Sequence, residues 1–378
     1  MNTMDKKFLT CESVGRGHPD KICDEIADAI LDCCLKHDPN SRVACEVFAN
    51  NRIIVIGGQI TTKCYVDVVQ VAWSILKPLG YNENDFSIIS NINSQSIDIA
   101  NQVNKSKTQL GAGDQGIVFG YATNETKQYL PIAYVLSNEI LISIDKLIAT
   151  KLNYCKHDMK SQVSLFNRGD KFVVDSIVVS VQHKQDANLN LLRNDIKKYV
   201  IEPILKKHHL FSNKIKYFIN KNGNFIIGGP IGDTGLTGRK IIVDAYGPIA
   251  HCGGGALSGK DPTKVDRSGA YLARYIAKNI VAAKLADKCE VQLSFCIGEP
   301  KPLNICINCF NTNKVAMEKI YKAVKMSFNF DLYNIIKQLG LQKPIYFQTS
   351  VFGHCSKNNL PWEKIDKVKI LRKYIYAR

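Results

Sequence analysis

Residues 228–240 read GGPIGDTGLTGRK, and after a short apolar run residues 251–267 read HCGGGALSGKDPTKVDR. Ten of the 25 glycines of the chain lie in this stretch. Glycine lets backbone N–H groups approach an anion closely, and the interleaved lysines and arginines add positive charge for phosphate. Aspartates between them offer the oxygen ligands that Mg²⁺ shares with phosphate. The stretch therefore indicates a site for a magnesium polyphosphate; the alternative is a glycine-rich surface loop with solvated charges.

The length of the chain and its cysteines limit which class of protein it can be. A chain of 378 residues is too long for one ordinary core, so two or three domains are expected. There is no run of 18 apolar residues and no apolar signal core near the N-terminus, which predicts a cytoplasmic location. Thirteen scattered cysteines favour reduced thiols, and the lone pair Cys306 and Cys309 is more typical of packing than of zinc binding.

The charge balance permits an anionic partner but does not single one out. Fifty lysines and arginines stand against 34 aspartates and glutamates, a net charge of +16. The lysines are widely spread, and no basic run interleaves with aromatic residues as in nucleic-acid binders. We therefore expect a solvated basic surface, with neither nucleic acid nor membrane as a partner.

Near the N-terminus, Pro19 predicts the first turn of a helix. Its apolar stripe is formed by Ile22, Ile26, Ile30 and Cys33. The acidic residues off the stripe, which we predict to be solvated, are Asp24, Glu25, Asp28 and Asp32. From the residues alone, His18 and Asp20 are either a loop residue and a first-turn charge favoured by the helix dipole, or members of a site.

Hairpins are predicted at RVACEVF with RIIVIGG, and again within residues 214–229. A glycine-rich turn recurs at residues 57–58, 111–116 and 228–238, in thirds that each mix strands with about two helices. This recurrence suggests a triplicated α+β unit.

The usual phosphate and nucleophile motifs are absent. The sequence has no GxxxxGK[ST], no GxGxxG after a predicted strand, and no Ser-His-Asp elbow. A polyphosphate site without a protein nucleophile suits a reaction in which the substrate supplies its own nucleophile. The protein then contributes positioning and charge stabilisation.

Several longer motifs stand in a defined order. They are ESV at residues 12–14, GHPDK at 17–21, GAGDQG at 111–116, FGYATNE at 119–125, residues 228–240, GGGA at 253–256, SGKDP at 258–262, VDRS at 265–268 and PWE at 361–363. With these motifs the chain resembles the S-adenosylmethionine synthetase family nearly end to end. The resemblance implies an α+β fold of three interleaved α+β domains with pseudo-threefold symmetry. It places the domains at residues 1–98, 111–229 and 230–378, with a gating loop at 99–110.

The resemblance also implies the reaction. Methionine sulfur attacks C5′ of ATP to give S-adenosylmethionine, and the released triphosphate is hydrolysed to pyrophosphate and phosphate. A thioether needs no deprotonation, which accounts for the missing general base. Two Mg²⁺ per site and K⁺ are the implied cofactors, ATP and L-methionine the substrates. Self-association as a dimer or dimer of dimers, with active sites shared across the dimer, is implied as well.

The resemblance implies roles for the residues of this chain that match the family's motifs. The implied catalytic residues are His18, Lys160, Arg239 and Lys260. The implied ATP-binding residues are His18, Asp158, Lys160, Phe225, Asp233, Arg239, Lys240, Ser258, Lys260 and Lys264. The implied methionine-binding residues are Gln59, Gln95, Asp114, Asp233 and Lys264. Mg²⁺ is assigned to Asp20 and Asp266, and K⁺ to Glu46.

Some positions depart from the family pattern. The family usually has Glu where this chain has Gln59, and Arg where it has Asn224. Its Arg-His pair is here His251-Cys252, its Phe is Leu257, and the Pro of its loop is Ile97. A rival hypothesis is a binding protein, either a nucleic-acid binder or a catalytically dead homologue, but His18, Asp20, Lys260 and Asp266 are all retained.

Overall fold

A computed structural model describes residues 8–94, 104–106, 109–168 and 171–376. The strands are β1 (Phe8–Val14), β2 (Arg42–Asn50), β3 (Ile53–Thr61), β4 (Ser87–Asn93), β5 (Asn104–Ser106), β6 (Gln109–Leu110), β7 (Gly116–Thr123), β8 (Cys155–Arg168), β9 (Lys171–His183), β10 (Lys216–Ile219), β11 (Gly235–Leu236), β12 (Lys288–Phe295) and β13 (Asn304–Asn308). The helices are α1 (Pro19–His37), α2 (Val68–Leu76), α3 (Ile132–Ile148), α4 (Leu189–Asp195), α5 (Glu202–Lys207), α6 (Ile241–Asp244), α7 (Val265–Ala282), α8 (Met317–Ser327), α9 (Leu332–Gln338) and α10 (Val368–Tyr376). A π-helical turn, Ile196–Ile201, joins α4 to α5.

The sheets exchange strands in a cycle. The N-terminal strand β1 joins the central sheet β1-β8-β9-β10, and β7 from the central part joins the C-terminal sheet β13-β12-β7. Strand β11 from the C-terminal third in turn joins the N-terminal sheet β11-β2-β3-β4. The predicted fold of three interleaved α+β units is therefore confirmed, and this cyclic exchange is what pseudo-threefold symmetry requires.

Helix α1 begins where the sequence predicts. Pro19 occupies its first turn, and the side chain of the N-cap His18 accepts the N–H of Asp20. Ile22, Ile26 and Ile30 are fully buried against the N-terminal sheet. Each such side chain contributes about 1.5–3 kcal/mol when it leaves water, so this stripe fixes the helix on the sheet.

The prediction that the acidic residues of α1 are solvated is wrong. Asp24, Glu25 and Asp28 are buried and Asp32 is half-buried. Segments of the C-terminal third cover this side of the helix and donate N–H groups to three of these side chains, while Arg16 pairs with Glu25. A buried carboxylate without such partners would cost several kcal/mol, so burial and partners come together.

The first predicted hairpin is confirmed, because β2 and β3 pair antiparallel from Arg42↔Thr61 to Asn50↔Ile53. The second is wrong. β10 pairs in parallel with β9, and residues 224–229, where the second strand of the hairpin is predicted, form no strand. The chain returns instead to the end of β9, where His183 bonds to both backbone groups of Phe225.

All thirteen cysteines are free thiols, as the sequence predicts. No helix in the described part of the chain is both long and apolar enough to span a membrane. Of the predicted gating loop, residues 104–106 and 109–110 are described and form the short antiparallel pair β5 and β6. The predicted methionine ligand Gln95 and the departure at Ile97 lie outside the described residues.

Candidate active site

The glycine-rich stretch is held between helix α1 and the edge of strand β2. On the β2 side, Thr237 N–H donates to Val47 C=O at 3.0 Å, and Asp261 N–H donates to Val43 C=O at 3.0 Å. On the α1 side, the N–H of Leu236 donates to Asp20 at 2.9 Å. Backbone groups that a loop would leave to water are thus paired on both sides, which fixes the side chains that follow.

Gly259 shows how closely these segments fit. Its φ is +78°, and a Cβ there would lie 2.0 Å from the Cys45 carbonyl oxygen. Only glycine fits this approach, which brings Lys260 to the edge of β2.

His18 is the buried centre of the first cluster of predicted residues. Its Nδ1 accepts the Asp20 N–H at 3.2 Å, which leaves the ring proton on Nε2. Burial, with Lys240 and Lys160 nearby, lowers the pKa of His18 to about 3. The imidazole is therefore neutral at physiological pH and presents an N–H donor among cations.

Asp20, in the first turn of α1, pairs with two cationic side chains. Lys240 Nζ lies 2.5 Å from its Oδ2, and Arg239 Nε lies 3.7 Å from its Oδ1. Burial opposes ionisation, but the hydrogen bonds from Lys240 and Leu236 N–H hold the pKa of Asp20 below its ordinary value. The carboxylate is thus charged, buried and placed between two phosphate-binding candidates.

Asp158 completes the first cluster from β8. Its Oδ2 accepts the Gly229 N–H at 2.8 Å, while its buried Oδ1 has no partner among the described residues. Burial raises the pKa of Asp158 to about 6, with Lys160 and the Gly229 N–H opposing the rise and Asp233 adding to it. An unpartnered buried acceptor is a typical place for a ligand donor.

The second cluster surrounds a cavity of about 180 Å³ next to the start of α7. The lining residues are Arg42, Ala44, Gln59, Gly113, Asp114, Lys260, Lys264, Val265 and Asp266. Lys260 Nζ lies 2.6 Å from Asp266 Oδ2, and Lys264 Nζ lies 2.5 Å from Asp261 Oδ2. The cavity therefore offers two lysines, two carboxylates and an amide to a polar ligand.

Two further predicted residues, Glu46 and Ser258, are each two positions in sequence from a residue that lines this cavity, Ala44 and Lys260 respectively. Glu46 projects from β2 on the same face as Ala44, and burial raises its pKa while Lys260 opposes the rise. Ser258 is buried next to Gly259, and its hydroxyl has no partner among the described residues. Both leave oxygen atoms free to take a cation or a ligand donor.

The structure gathers the predicted residues into two clusters rather than one. The first cluster comprises His18, Asp20, Asp158, Lys160, Asp233, Arg239 and Lys240. The second comprises Gln59, Asp114, Lys260, Lys264 and Asp266. Leu236 pairs with Phe48, and Lys260 pairs with Ala44, four residues earlier on β2. At the usual rise per residue of a strand, the two points at which the glycine-rich segments join β2 lie about 13 Å apart. No member of the first cluster lines the cavity of the second.

The departures from the family pattern fall at different distances from these clusters. Gln59 lines the second cavity directly. Cys252 and Leu257 line a smaller, mainly apolar cavity of about 30 Å³ that also reaches Asp266. His251 Nδ1 forms a hydrogen bond with Glu290 Oε1 at 2.9 Å, and Asn224 is exposed and precedes Phe225 in the chain. Gln59 is thus the departure with direct access to a polar ligand.

Sequence reasoning missed some residues of the site. Arg42 lines the second cavity, and Asp24 and Asp28 hold the glycine-rich stretch by its N–H groups. A signal was available, since the aspartates of α1 recur at every fourth residue from Asp20. Within the described ranges, no three His, Cys, Asp or Glu side chains converge as a metal cluster.

Comparison with known proteins identifies the family. Family models for the N-terminal, central and C-terminal domains of S-adenosylmethionine synthetase match residues 6–107, 109–225 and 227–364. S-adenosylmethionine synthase of Mycoplasmopsis pulmonis is 54% identical over 98% of this chain and 100% of its own length. The enzyme of the same name from Mycoplasma pneumoniae is 50% identical over 94% and 93% of the two chains, and that of Treponema denticola is 46% identical over 98% and 99%. The chain belongs to the S-adenosylmethionine synthetase family.

Proposed function

We infer that the protein is a methionine adenosyltransferase that forms S-adenosylmethionine from ATP and L-methionine. The methionine sulfur attacks C5′ of ATP, the C5′–oxygen bond breaks, and triphosphate leaves. Water then cleaves the triphosphate to pyrophosphate and phosphate. The observation that carries this proposal is the neutral, buried His18 N–H donor set among Lys160, Arg239 and Lys240.

The first cluster supplies what the leaving group needs. Negative charge grows on the triphosphate oxygen as the C5′ bond breaks. A neutral imidazole donates a hydrogen bond there without repelling the surrounding cations. Because these charges are already in place in a half-buried site, they stabilise the transition state without reorganisation. Asp158, with one oxygen unpartnered, would take a nucleoside hydroxyl or amino donor, and Phe225 would pack beside it.

The second cavity has the chemistry of an amino-acid site. Lys264 would pair with the methionine carboxylate, while Gln59 and Asp114 would accept hydrogen bonds from its ammonium group. The amide oxygen of Gln59 is a weaker acceptor for a charged donor than a carboxylate. This cavity therefore binds methionine through its polar end and leaves the thioether free to reach C5′.

The donor set also fits the expected cations. Asp20 and Asp266 are single carboxylates, each already beside a lysine, and would hold Mg²⁺ together with triphosphate oxygens. Glu46 would hold K⁺ at the edge of the second cavity. Bound Mg²⁺ would neutralise part of the charge on the triphosphate. The lysines and Arg239 would contact the triphosphate oxygens directly.

The split into two clusters supports a shared active site. Glu46, Gln59 and the apolar Phe48, Ile53 and Ile89 lie on one face of the N-terminal sheet, and these three apolar side chains are 39 to 53% exposed. A contiguous exposed apolar face of this kind marks an interface. We propose that a second copy covers it and brings its own first cluster onto the second cavity. Each dimer then holds two active sites, each built from both chains.

The test is a turnover assay on the full chain with ATP, L-methionine, Mg²⁺ and K⁺. We expect S-adenosylmethionine, pyrophosphate and phosphate in equal amounts, and no product when methionine is omitted. Release of ADP, or ATP cleavage that does not depend on methionine, would contradict the proposed reaction. A salt-dependent shift with single-stranded nucleic acid and no turnover would favour the binding-protein rival.

A further inference from the structure

Four aspartates on α1 recur at every fourth residue and all serve the C-terminal third of the chain. We call Asp20, Asp24, Asp28 and Asp32 the aspartate ladder. Each accepts at least one backbone N–H from a segment more than two hundred residues away. Four residues advance a helix by about 6 Å, so the carboxylates of the ladder follow one another along α1 at about this spacing.

Asp24 holds the segment that carries Arg239 and Lys240. Its Oδ1 accepts the N–H of Gly238 at 2.8 Å, and its Oδ2 lies 3.0 Å from Lys21 Nζ. Gly238 has a φ of +76°, and a Cβ on it would lie 2.3 Å from Ala256 Cβ. The segment thus has little room to shift sideways, and Asp24 adds a buried anchor next to those that Asp20 and Val47 provide for Leu236 and Thr237.

Asp28 holds the segment that carries Lys260. Its Oδ1 accepts the N–H of Gly259 at 2.8 Å, and both its oxygens bind the guanidinium of Arg267, at 2.7 and 2.8 Å. Arg267 in turn donates to the carbonyl of Lys260 at 3.1 Å. The backbone of Gly259 and Lys260 is therefore clamped on both sides by one buried ion pair.

Asp32 also accepts backbone N–H groups, but from another region of the chain. Its carboxylate accepts the N–H groups of Tyr346 and Phe347, at 2.8 to 3.1 Å. Neither residue belongs to the two clusters of the active site. Asp32 therefore stabilises the same helix-to-loop packing without touching a segment that carries a phosphate-binding side chain, which makes it a matched control.

From this geometry we propose that Asp24 and Asp28 are positioning residues, each of which fixes the backbone that carries the triphosphate-binding cations of one cluster without contacting the substrate. This proposal rests on the proposed function, since it concerns how the cations meet the triphosphate. Helix α1 is a rigid element, and β2 holds the other side of both segments. When a polyanion binds, the cations keep their places because their backbone is fixed to carboxylates.

Positioning of this kind acts on the transition state. A displacement of about 1 Å in a charged group can cost roughly a hundredfold in rate, even when the group itself is retained. Methionine binding uses the other end of the second cavity and does not depend on Gly238. We therefore expect a loss of kcat and of triphosphate affinity, with the KM for methionine unchanged.

The test compares Asp24→Asn with Asp32→Asn in the full chain. Melting temperature, kcat, the KM for each substrate, and inhibition by inorganic tripolyphosphate are measured on both variants and on the unaltered protein. We expect Asp24→Asn to lower kcat at least about tenfold and to weaken tripolyphosphate inhibition severalfold. Asp32→Asn should keep both within twofold of the unaltered protein, whatever its melting temperature.

Equal kcat and equal tripolyphosphate inhibition in the two folded variants would overturn the proposal, because the ladder would then serve packing alone. If Asp24→Asn does not fold, Asp24→Glu is used instead, because it retains the charge and moves the carboxylate by one methylene. Asp32→Glu is then the control. A lower kcat and weaker tripolyphosphate inhibition in Asp24→Glu alone would support the proposal, and equal values in both variants would overturn it. Turnover of the unaltered protein tests the proposed function separately, and tripolyphosphate binding can also be measured by calorimetry without turnover.

Discussion

Asp158 offers a prediction in which stability and function oppose each other. Its carboxyl is buried, one oxygen has a single N–H partner and the other has none among the described residues. Burial raises its pKa from an ordinary value of 3.8 to about 6. The raised value means that the ionised form is disfavoured in the folded state. Asp158 therefore contributes stability below about pH 4 that is lost as the pH rises through about 6.

The magnitude follows from the shift. A pKa difference of about two units corresponds to about 3 kcal/mol over the full range, and about half of it falls between pH 5 and pH 7.5. Asp158→Asn retains an acceptor for Gly229 N–H but carries no charge. The variant should therefore gain stability relative to the unaltered protein by about 1 kcal/mol between these two pH values. Its KM for ATP should rise, because the unpartnered acceptor for the nucleoside is replaced.

Thermal or urea unfolding of both proteins at pH 5 and pH 7.5 measures the effect. Asp186→Asn is the control, since Asp186 is exposed and its loss should leave the pH dependence unchanged. If Asp158→Asn and the unaltered protein show the same pH dependence of unfolding, the ionised Asp158 is not destabilising in the fold. A stability gain without a change in the KM for ATP would instead remove Asp158 from the nucleotide site.

Four further substitutions test individual roles. Lys260→Met should lower kcat about a hundredfold while the fold survives, because it removes about 3 kcal/mol of pre-placed charge stabilisation; a folded variant with near-normal kcat would contradict this. Asp20→Asn and Asp266→Asn should each raise the Mg²⁺ concentration needed for half-maximal rate at fixed ATP, and an unchanged titration in both would return Asp20 to a helix-start charge. Gln59→Glu should lower the KM for methionine severalfold with little change in kcat, since a charged acceptor for the ammonium strengthens ground and transition states alike. An unchanged KM would mean that another acid already pairs the ammonium.

Helix α1 shows how far the sequence could predict this structure. Pro19 and the isoleucine stripe indicate its start and its buried face correctly, because these signals are local. The burial of Asp24 and Asp28 was not predictable in the same way. Their N–H partners, Gly238 and Gly259, are 214 and 231 residues away in the chain, and the local repeat of aspartates does not show which segments these side chains contact.

The same distinction holds for the sheets and the site. The hairpin of β2 and β3 is specified by adjacent strands, whereas β10 takes a parallel partner that its own turn does not reveal. Motifs identify residues such as His18 and Lys260, but their separation into two clusters depends on where along β2 each glycine-rich segment joins. Those positions are set by the interleaving of the three units.

The central claim is that each active site combines the first cluster of one chain with the second cluster of another. Co-expression of His18→Ala and Lys260→Met chains with two different affinity tags, followed by purification on both tags, yields mixed dimers. In these, one of the two sites has both unaltered clusters. We predict that the mixed dimers recover roughly half of the unaltered activity, although each variant alone is nearly inactive. Mixed dimers as inactive as the separate variants would contradict the claim and place the whole active site within one chain.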